Sequence, residues 1–235
     1  MVTSLLILSC SQSINNEKSQ VFFKSAYNKT RNKDFIGALA DYNKGIKLNP
    51  AFAKAYNNRG LVKEELKDYS GALLDYSKTI ELIPNNSLAF HNRGRLKHIL
   101  KDYNEAITDF NKAIELTPFM PQAYKDIAFS RLRLQDIDVA IIYFSKAIEQ
   151  SWLQEDVQFL MKNGIPIPMF NDIIEQKQRL VECYYVRGVA YAQQQMQYEA
   201  CRDFNELRTT LDTYSSAYLN PREKLFLQKQ LKLCN

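Results

Sequence analysis

Histidine is scarce in this chain, and the catalytic motifs that it usually joins are missing. The only histidines, His91 and His98, lie two turns apart on one predicted helix, with no cysteine or serine motif beside them. A catalytic zinc site normally needs a third protein ligand. Carboxylate pairs such as Glu64 and Glu65 have no identifiable acid–base partner, and no glycine-rich phosphate loop is present. We therefore expect no enzyme activity, no metal and no cofactor.

Glycine and proline are also few, with seven of each among 235 residues. With 46% hydrophobic and 24% charged residues, the composition is that of a soluble helical domain long enough for a continuous core. Beyond the N-terminal segment, no apolar run approaches the length of a membrane span.

Cysteine is limited to four residues, and three of them, Cys183, Cys201 and Cys234, lie in the C-terminal part of the chain. Their spacing matches neither a metal site nor a redox motif. We expect these three to be buried free thiols, which behave as small apolar side chains.

A large excess of one charge sign is absent as well, because the formal net charge is only +5. Lysines alternate with aspartate and glutamate along nearly every predicted helix, which indicates a mixed-charge surface rather than a basic face. Nucleic acid is therefore not an expected partner, whereas the small positive excess is compatible with an acidic protein.

What the chain does contain is an internal repeat. Pro50, Pro84 and Pro118 recur at equal intervals, and each closes a similar phrase that begins with isoleucine. A small residue, an alanine and an aromatic residue keep fixed distances within each unit. These positions are Ala26, Ala38, Tyr42; Gly60, Ala72, Tyr76; Gly94, Ala106, Phe110; and, more weakly, Ala128, Ala140, Phe144. A fixed period of this length indicates a helical repeat array.

Each repeated position has a physical reason. The small residue and the alanine, which keep one constant separation, allow two antiparallel helices to approach closely, while the aromatic ring fills the layer toward the next unit. The proline follows the second helix and blocks its extension. An aspartate between the two helices, at Asp34, Asp68 and Asp102, is suited to cap the second one.

This pattern resembles the tetratricopeptide repeat. The resemblance implies an all-α fold, a TPR-type α-solenoid in which antiparallel helix pairs form a right-handed superhelix, and it implies that the chain works as a binding scaffold. Because one helix pair cannot bury its apolar stripe alone, stability should be roughly additive along the array.

A fifth unit follows an interruption, at Tyr184, Arg187, Gly188, Ala200 and Phe204. The predicted domain boundaries are as follows: an N-terminal segment at 1–18; a solenoid at 19–220 with repeats at about 19–52, 53–86, 87–120, 121–154 and 181–214 and an insertion at about 155–180; and a capping helix at 221–235. Asn220 and Pro221 are expected to begin that capping helix, and Leu225, Phe226, Leu231 and Leu233 to pack from it.

The insertion is predicted to begin with a short amphipathic helix around Trp152–Met161. The prolines of 164–170 predict a non-helical stretch, and Asn171 is expected to cap a long helix that runs into Tyr191. Ile165, Ile167, Met169 and Phe170 either pack as a plug or form an exposed lip that binds a partner; we favour packing.

The N-terminal segment suggests a compartment. A short apolar run, Leu5–Leu8, precedes Ser9 and Cys10, and a polar stretch follows, which resembles the cleavage box of bacterial lipoproteins. In that family the cysteine is lipidated, so Cys10 is the candidate lipidation site. The alternative is a frayed tail and a cytoplasmic protein; we favour the bacterial cell envelope, with the lipid anchor as the one expected membrane contact.

Arg59, Arg93 and Arg187 each precede a repeat glycine, and each is followed at one constant spacing by an aspartate, namely Asp75, Asp109 and Asp203. We predict a two-point bridge between the helices of one unit, for which lysine is a poor substitute. Repeat one, with Ser25, and repeat four, with Ile127 and Tyr143, lack the complete pair. Anion binding by the arginines is the alternative.

The candidate binding surface is the concave face, which in this family is lined by the first helix of each pair. Carried onto this chain, it contains Lys54, Asn57, Asn58, Leu61, His91, Asn92, Arg95, Lys125 and Phe129. Asn58 and Asn92 also have a structural interpretation, in the packing of the repeat itself. The lysines with which some members bind a C-terminal carboxylate are missing, so a receptor for chaperone tails is not expected.

We therefore predict an adaptor that binds a peptide or helix of a partner protein in this groove. Two alternatives stay open at this point. One is a self-assembly module in which the ends of the solenoid pair with another copy. The other is an envelope-associated carrier of a carbohydrate or cell-wall fragment.

Overall fold

A computed structural model describes residues 2–151, 168–214, 219 and 221–234, without the side chains of 2–11, 149, 151, 168–180 and 212–214. The described residues contain eleven α-helices. They are α1 (Val2–Arg31), α2 (Phe35–Leu48), α3 (Ala53–Glu65), α4 (Tyr69–Leu82), α5 (Ser87–Ile99), α6 (Tyr103–Leu116), α7 (Pro121–Arg133), α8 (Ile137–Ser151), α9 (Pro168–Gln193), α10 (Gln197–Tyr214) and α11 (Pro221–Leu233). All regular structure in these residues is helical, which confirms the predicted fold class.

The helices pack as consecutive pairs within two compact units. Unit 1, residues 1–116, contains α1/α2, α3/α4 and α5/α6. Unit 2, residues 117–235, contains α7/α8 and α9/α10, with α8 also packed on α9 and α11 on α10. Each unit is thus a stack of helix pairs, as the repeat predicts.

The turn inside each pair is built in the same way. One residue, at Lys33, Lys67, Lys101, Gln135 and Gln195, has a left-handed backbone with φ between 61° and 70°. Such a residue ends a helix, and glycine is usual there; the lysine or glutamine gave no sequence signal. The next residue caps the second helix, because the carboxylates of Asp34 and Asp68 accept hydrogen bonds of 2.9 Å from the amides of Gly37 and Gly71. The predicted caps are confirmed at these two positions.

The core consists of the repeated small and aromatic residues. The rings of Tyr42, Tyr76, Phe110, Phe144 and Phe204 are at most 1% exposed. The first-helix glycines are required by close approach, since a Cβ on Gly60 or Gly188 would lie 2.7 Å from the ring of Tyr76 or Phe204. The predicted close approach of the two helices is confirmed, and each of these glycines lies against the aromatic ring of its own unit, a contact that was not predicted.

Replacing Gly94 by valine is expected to lower the free energy of unfolding by about 2 kcal/mol. A Cβ there would lie 2.9 Å from two carbons of the Phe110 ring and 3.1 Å from the carbonyl oxygen of Ala106, so the helices must separate. Urea unfolding measures the loss. Leu88→Val on the same helix, at a side chain that is 60% exposed, is the matched control and should change stability little; equal stability of both variants would contradict this packing.

The three predicted arginine–aspartate bridges are confirmed. In each, Nε and Nη2 of the arginine donate to the two carboxylate oxygens, at 2.8 and 2.6 Å for Arg59, 2.9 and 2.8 Å for Arg93, and 2.6 and 2.6 Å for Arg187. The Nη1 atoms donate to the preceding helix pair, at Asn43, Ser77 and Ser145 respectively. Both edges of each guanidinium are therefore engaged within the fold, which favours the structural hypothesis over anion binding.

Repeats one and four, which lack the complete arginine–aspartate pair, have other contacts at these positions. In repeat one, Asp41 accepts from Ser25 at 2.7 Å and from Lys29 at 2.6 Å. The hydrogen bond from Lys29 lowers the pKa of Asp41 below its ordinary value, although burial opposes this effect. In repeat four, Ile127 is fully buried in place of the arginine.

The first helix of the fifth unit differs from the prediction. Helix α9 begins at Pro168, so Pro168, Met169 and Phe170 are helical and Asn171 lies inside the helix rather than capping it. The reason is that proline is well tolerated at the first helical position, where its missing N–H would be unpaired in any case. The predicted short helix near Trp152 and the side chains of Ile165, Ile167, Met169 and Phe170 lie outside the described residues or side chains.

Helix α11 begins at Pro221, as predicted, and packs over α10. Phe226 contacts the rings of Tyr185 and Phe204 at 6.0 and 6.1 Å between centroids. Leu231 is half-buried against the core, but Leu225 and Leu233, 54% and 68% exposed, are not part of it, so the prediction was wrong for these two. Leu227, which was not predicted, is the buried leucine of this helix, because the helical period places it, and not Leu225, on the face toward α10.

The cysteine prediction was wrong for two of the three residues. Cys201 in α10 and Cys234 after α11 form a disulfide, with Cα atoms 5.4 Å apart. The packing of α11 on α10 brings these residues together across a sequence separation of 33. Cys183 is a buried free thiol, as predicted, and burial raises its pKa to about 12.

Helix α1 extends through most of the segment expected as a leader or a frayed tail, since its backbone is helical from Val2. The side chain of Cys10 is outside the described side chains, so its lipidation stays a prediction. Among the described residues, no helix combines the length and apolarity that crossing a membrane requires.

Candidate functional site

Seven of the nine predicted binding residues lie on α3 and α5 of unit 1. We call the surface formed by Lys54, Asn57, Asn58, Leu61, His91, Asn92 and Arg95 the first-helix face of unit 1. The other two, Lys125 and Phe129, lie on α7 of unit 2.

Three asparagines form a chain of amides across the first-helix face. Nδ2 of Asn92 on α5 donates to Oδ1 of Asn57 on α3 at 3.1 Å, and Nδ2 of Asn57 donates to Oδ1 of Asn58 at 3.4 Å. All three side chains are half-buried. Asn58 also bonds to Tyr42: burial raises the pKa of Tyr42, and hydrogen bonds from Thr30 and Asn58 reduce that rise.

Beside the amide chain lies a carboxylate that the sequence did not single out as a binding group. Glu64 accepts a short hydrogen bond from the Tyr76 hydroxyl and an ion-pair contact of 3.2 Å from Nη2 of Arg95. Burial raises the pKa of Tyr76, and Glu64 raises it further. Glu64 makes the contact with Arg95 because a stacked repeat places that arginine above it.

The remaining members of the face differ in exposure. Lys54 is exposed, with Nζ 5.4 Å above the ring of Phe23. His91 is half-buried with its ring 5.6 Å from that of Phe110. Leu61 packs against the core cluster of α4 and α5 and serves mainly as part of that packing.

Lys125 and Phe129 are engaged within their own unit. Nζ of Lys125 lies 2.8 Å from a carboxylate oxygen of Glu182 on α9, and Phe129 packs edge-on against the buried ring of Phe144, 5.2 Å away. Phe129 therefore has a clear structural role, whereas Lys125 is paired with a carboxylate whose side chain is 54% exposed.

Sequence reasoning missed the tyrosine hydroxyls of Tyr42 and Tyr76 and the role of Glu64. A signal was present, because the aromatic position is tyrosine in repeats one and two but phenylalanine in repeats three, four and five. A buried hydroxyl needs a partner, and the partners are Thr30 and Asn58 for Tyr42 and Glu64 for Tyr76. In the part of the chain that the structure describes, no cluster of three histidine, cysteine or acidic side chains is arranged to hold a metal ion.

Three family models match the repeat region: one described as Tetratricopeptide repeat at residues 53–86, one described as TPR repeat at 32–67, and a second described as Tetratricopeptide repeat at 88–119. The chain is a tetratricopeptide repeat protein. The predicted resemblance is confirmed, and such proteins are generally protein-interaction modules, so the chain is assigned to that broad class.

Solved structures share the fold at low sequence identity. PilF of Pseudomonas aeruginosa has a TM-score of 0.68 at 13% identity, covering 94% of this chain and 90% of that one. MamA of Desulfovibrio magneticus has a TM-score of 0.67 at 14% identity, covering 85% and 98%. YrrB, described as a TPR protein with an unusual peptide-binding site, has a TM-score of 0.61 at 18% identity, covering 88% and 90%. A comparison with curated proteins finds no match.

Proposed function

We propose that this chain is an adaptor that binds an extended segment of a partner protein on the first-helix face of unit 1. The observation that carries the proposal is the chain of half-buried amides formed by Asn92, Asn57 and Asn58. Each amide has two N–H donors and an acceptor oxygen, so one contact to a neighbour does not exhaust it.

The amide chain favours an extended peptide over a helix. A helix satisfies its own backbone groups and presents side chains, whereas an extended segment presents N–H and C=O groups that match amide side chains. The preformed bond between Asn92 and Asn57 supports this interpretation, since groups that are already oriented lose less entropy on binding.

The charges of the face indicate the partner's composition. Lys54 is exposed, and Arg95 is 45% exposed at its side chain with one nitrogen on Glu64. An arginine has five N–H donors, so a partner carboxylate can bind beside Glu64. We infer a segment that carries acidic residues next to its backbone contacts.

The Cys201–Cys234 disulfide supports the predicted envelope location of this activity. Disulfides persist in oxidising compartments such as the bacterial periplasm and are rare in the cytosol. Mass spectrometry of the native protein would measure both the disulfide and a lipid on Cys10; an unmodified, fully reduced protein would contradict this location.

The double variant Asn57→Ala/Asn92→Ala is expected to weaken binding of the partner segment by about tenfold or more, because two backbone-directed amides are lost. Affinity capture from native cells would identify the partner, and calorimetry with a synthetic peptide of its bound segment would give the affinity.

Asn104→Ala/Asn111→Ala is the matched control, since it removes two exposed asparagines from α6, a second helix of the same unit. Equal affinity of both double variants would contradict the proposal, provided that circular dichroism shows the same folded content. In labelled protein, unchanged side-chain amide signals of Asn57 and Asn92 on peptide addition would contradict it independently.

A further inference from the structure

Unit 2 contains an open cavity of about 500 Å³ between the α7–α8 turn and α9. Its walls are apolar and come from both elements: Leu132 and Ile137 on one side, Val186 and Val189 on the other. These four side chains are half-buried, so each has a surface that faces the opening. The volume lies within the range of ligand sites, which are mostly apolar with a few polar groups.

The repeat spacing shows why this cavity exists here. At the corresponding level of unit 1, Glu64 and Arg95 form an ion pair, and Tyr69 packs against the core cluster of α4 and α5. The equivalent positions in unit 2 are Leu132, Val189 and Ile137, respectively. A salt bridge and an aromatic ring are thus replaced by three shorter apolar side chains, and these three line the open cavity.

The replacement of the aromatic residue is the most specific of these changes. The position of Ile137 is Phe35, Tyr69 and Tyr103 in the first three repeats, and the first two of these rings pack against the core of their own pairs. Isoleucine lacks the planar area of a ring, so an aromatic group from another molecule has a matching place beside it.

The rim of the cavity is polar but uncharged. Gln135 and Gln193 line its edges and are exposed. Nearby, Nε2 of Gln194 donates to Oδ1 of Asp138 at 2.6 Å, which joins α8 to the end of α9. Within the described part of the chain, no ionised side chain lines the cavity. An occupant should therefore be uncharged where it is buried and able to hydrogen-bond to amides where it leaves the cavity.

We propose that this cavity is a second binding site, and that it takes an aromatic side chain of a partner polypeptide while Gln135 and Gln193 bond to the adjoining peptide groups. The proposal rests on the proposed function in one respect, since it assigns the occupant to a partner protein. It adds an apolar site for an aromatic side chain, which the first-helix face of unit 1 does not contain.

The test uses N-acetylphenylalanine amide as a probe, because it combines an aromatic ring with two peptide groups. In the full-length chain with labelled methyl groups, titration is expected to shift the signals of Ile137, Val186 and Val189. N-acetylalanine amide should bind at least about tenfold more weakly, since it lacks the ring.

The variant Ile137→Tyr should fill the cavity and reduce binding of the probe by about tenfold or more. It is expected to fold, because Tyr69 and Tyr103 occupy the equivalent positions. Ile142→Tyr, on the same helix at a site that is 52% exposed, should bind as wild type does.

Three results would overturn the proposal: unshifted cavity methyls, equal affinity for the two amides, or unchanged binding by Ile137→Tyr. The probe is independent of any partner, so failure of the cavity site is distinguishable from failure of the first-helix face. In particular, Asn57→Ala/Asn92→Ala should bind the partner segment more weakly and bind the probe with unchanged affinity.

Discussion

Replacing Arg187 by methionine is expected to lower the free energy of unfolding of unit 2 by about 3–5 kcal/mol. The side chains of Arg187 and Asp203 are 8% and 0% exposed, and two hydrogen bonds of 2.6 Å join them. Burial alone would lower the pKa of Arg187, but the bond and charge of Asp203 raise it overall, so the arginine is charged in the fold. Without it, the buried carboxylate of Asp203 loses both of these hydrogen bonds and keeps only a longer contact of 3.9 Å with Nε of Arg202.

Urea unfolding, followed by a probe in unit 2, measures this loss. Arg59→Met is the matched control, because its bridge to Asp75 is more exposed, at 16% and 4%, and Lys63 also reaches that aspartate at 2.9 Å. Arg59→Met should lower the free energy of unfolding by less than Arg187→Met does. The double variant Arg187→Met/Asp203→Leu should recover most of the stability, since both charges are removed together. An Arg187→Met chain as stable as wild type would contradict the assignment.

Replacing Cys201 by serine is expected to lower the stability of unit 2 by about 3 kcal/mol. The disulfide to Cys234 spans a sequence separation of 33 and limits the conformations of the unfolded chain. Helix α11 otherwise packs on α10 through a short apolar face at Phe226, Leu227 and Leu231, with a cavity of about 270 Å³ beside it. Its attachment should therefore depend on the bond.

Hydrogen exchange provides the local measurement. We expect amides of α11 to exchange faster in Cys201→Ser and in wild type treated with a dithiol, and the variant to be unaffected by that reagent. Cys183→Ala, at the buried free thiol, controls for the loss of a cysteine and should keep α11 protected. Wild-type protein whose stability and exchange are the same with and without the dithiol would contradict the prediction.

The helix pairs were predictable because each of their signals is local and repeated. The small residue, alanine and aromatic positions identify the crossing point of two helices, and Asp34 and Asp68 cap the helices that follow them. The arginine–aspartate bridges were predictable for the same reason, since their constant spacing connects two helices of one pair through a short turn. The prediction failed at Pro168, because proline disfavours a helix at most positions but is well tolerated at the first one. Pro168 begins α9.

The candidate site was predictable only in part. The family resemblance placed Asn57 and Asn92 on first helices, but their hydrogen bond depends on the distance between α3 and α5. The ion pair of Arg95 with Glu64 also depends on the distance between α5 and α3. The residues that neighbour Arg95 or Glu64 along the chain give no signal for this contact. Side-chain contacts between repeats depend on how the pairs stack, which the period alone does not specify.

The sequence by itself determined the helix pairs, their period and the residues that pack inside each pair, because these depend on contacts between residues close along the chain. Only the tertiary structure decided that Cys201 bonds to Cys234, that Glu64 is shared by Tyr76 and Arg95, and that a cavity opens beside Ile137. Each of these arises between elements that meet only after packing, where the shape and charge of two surfaces act together and no short stretch of sequence contains both.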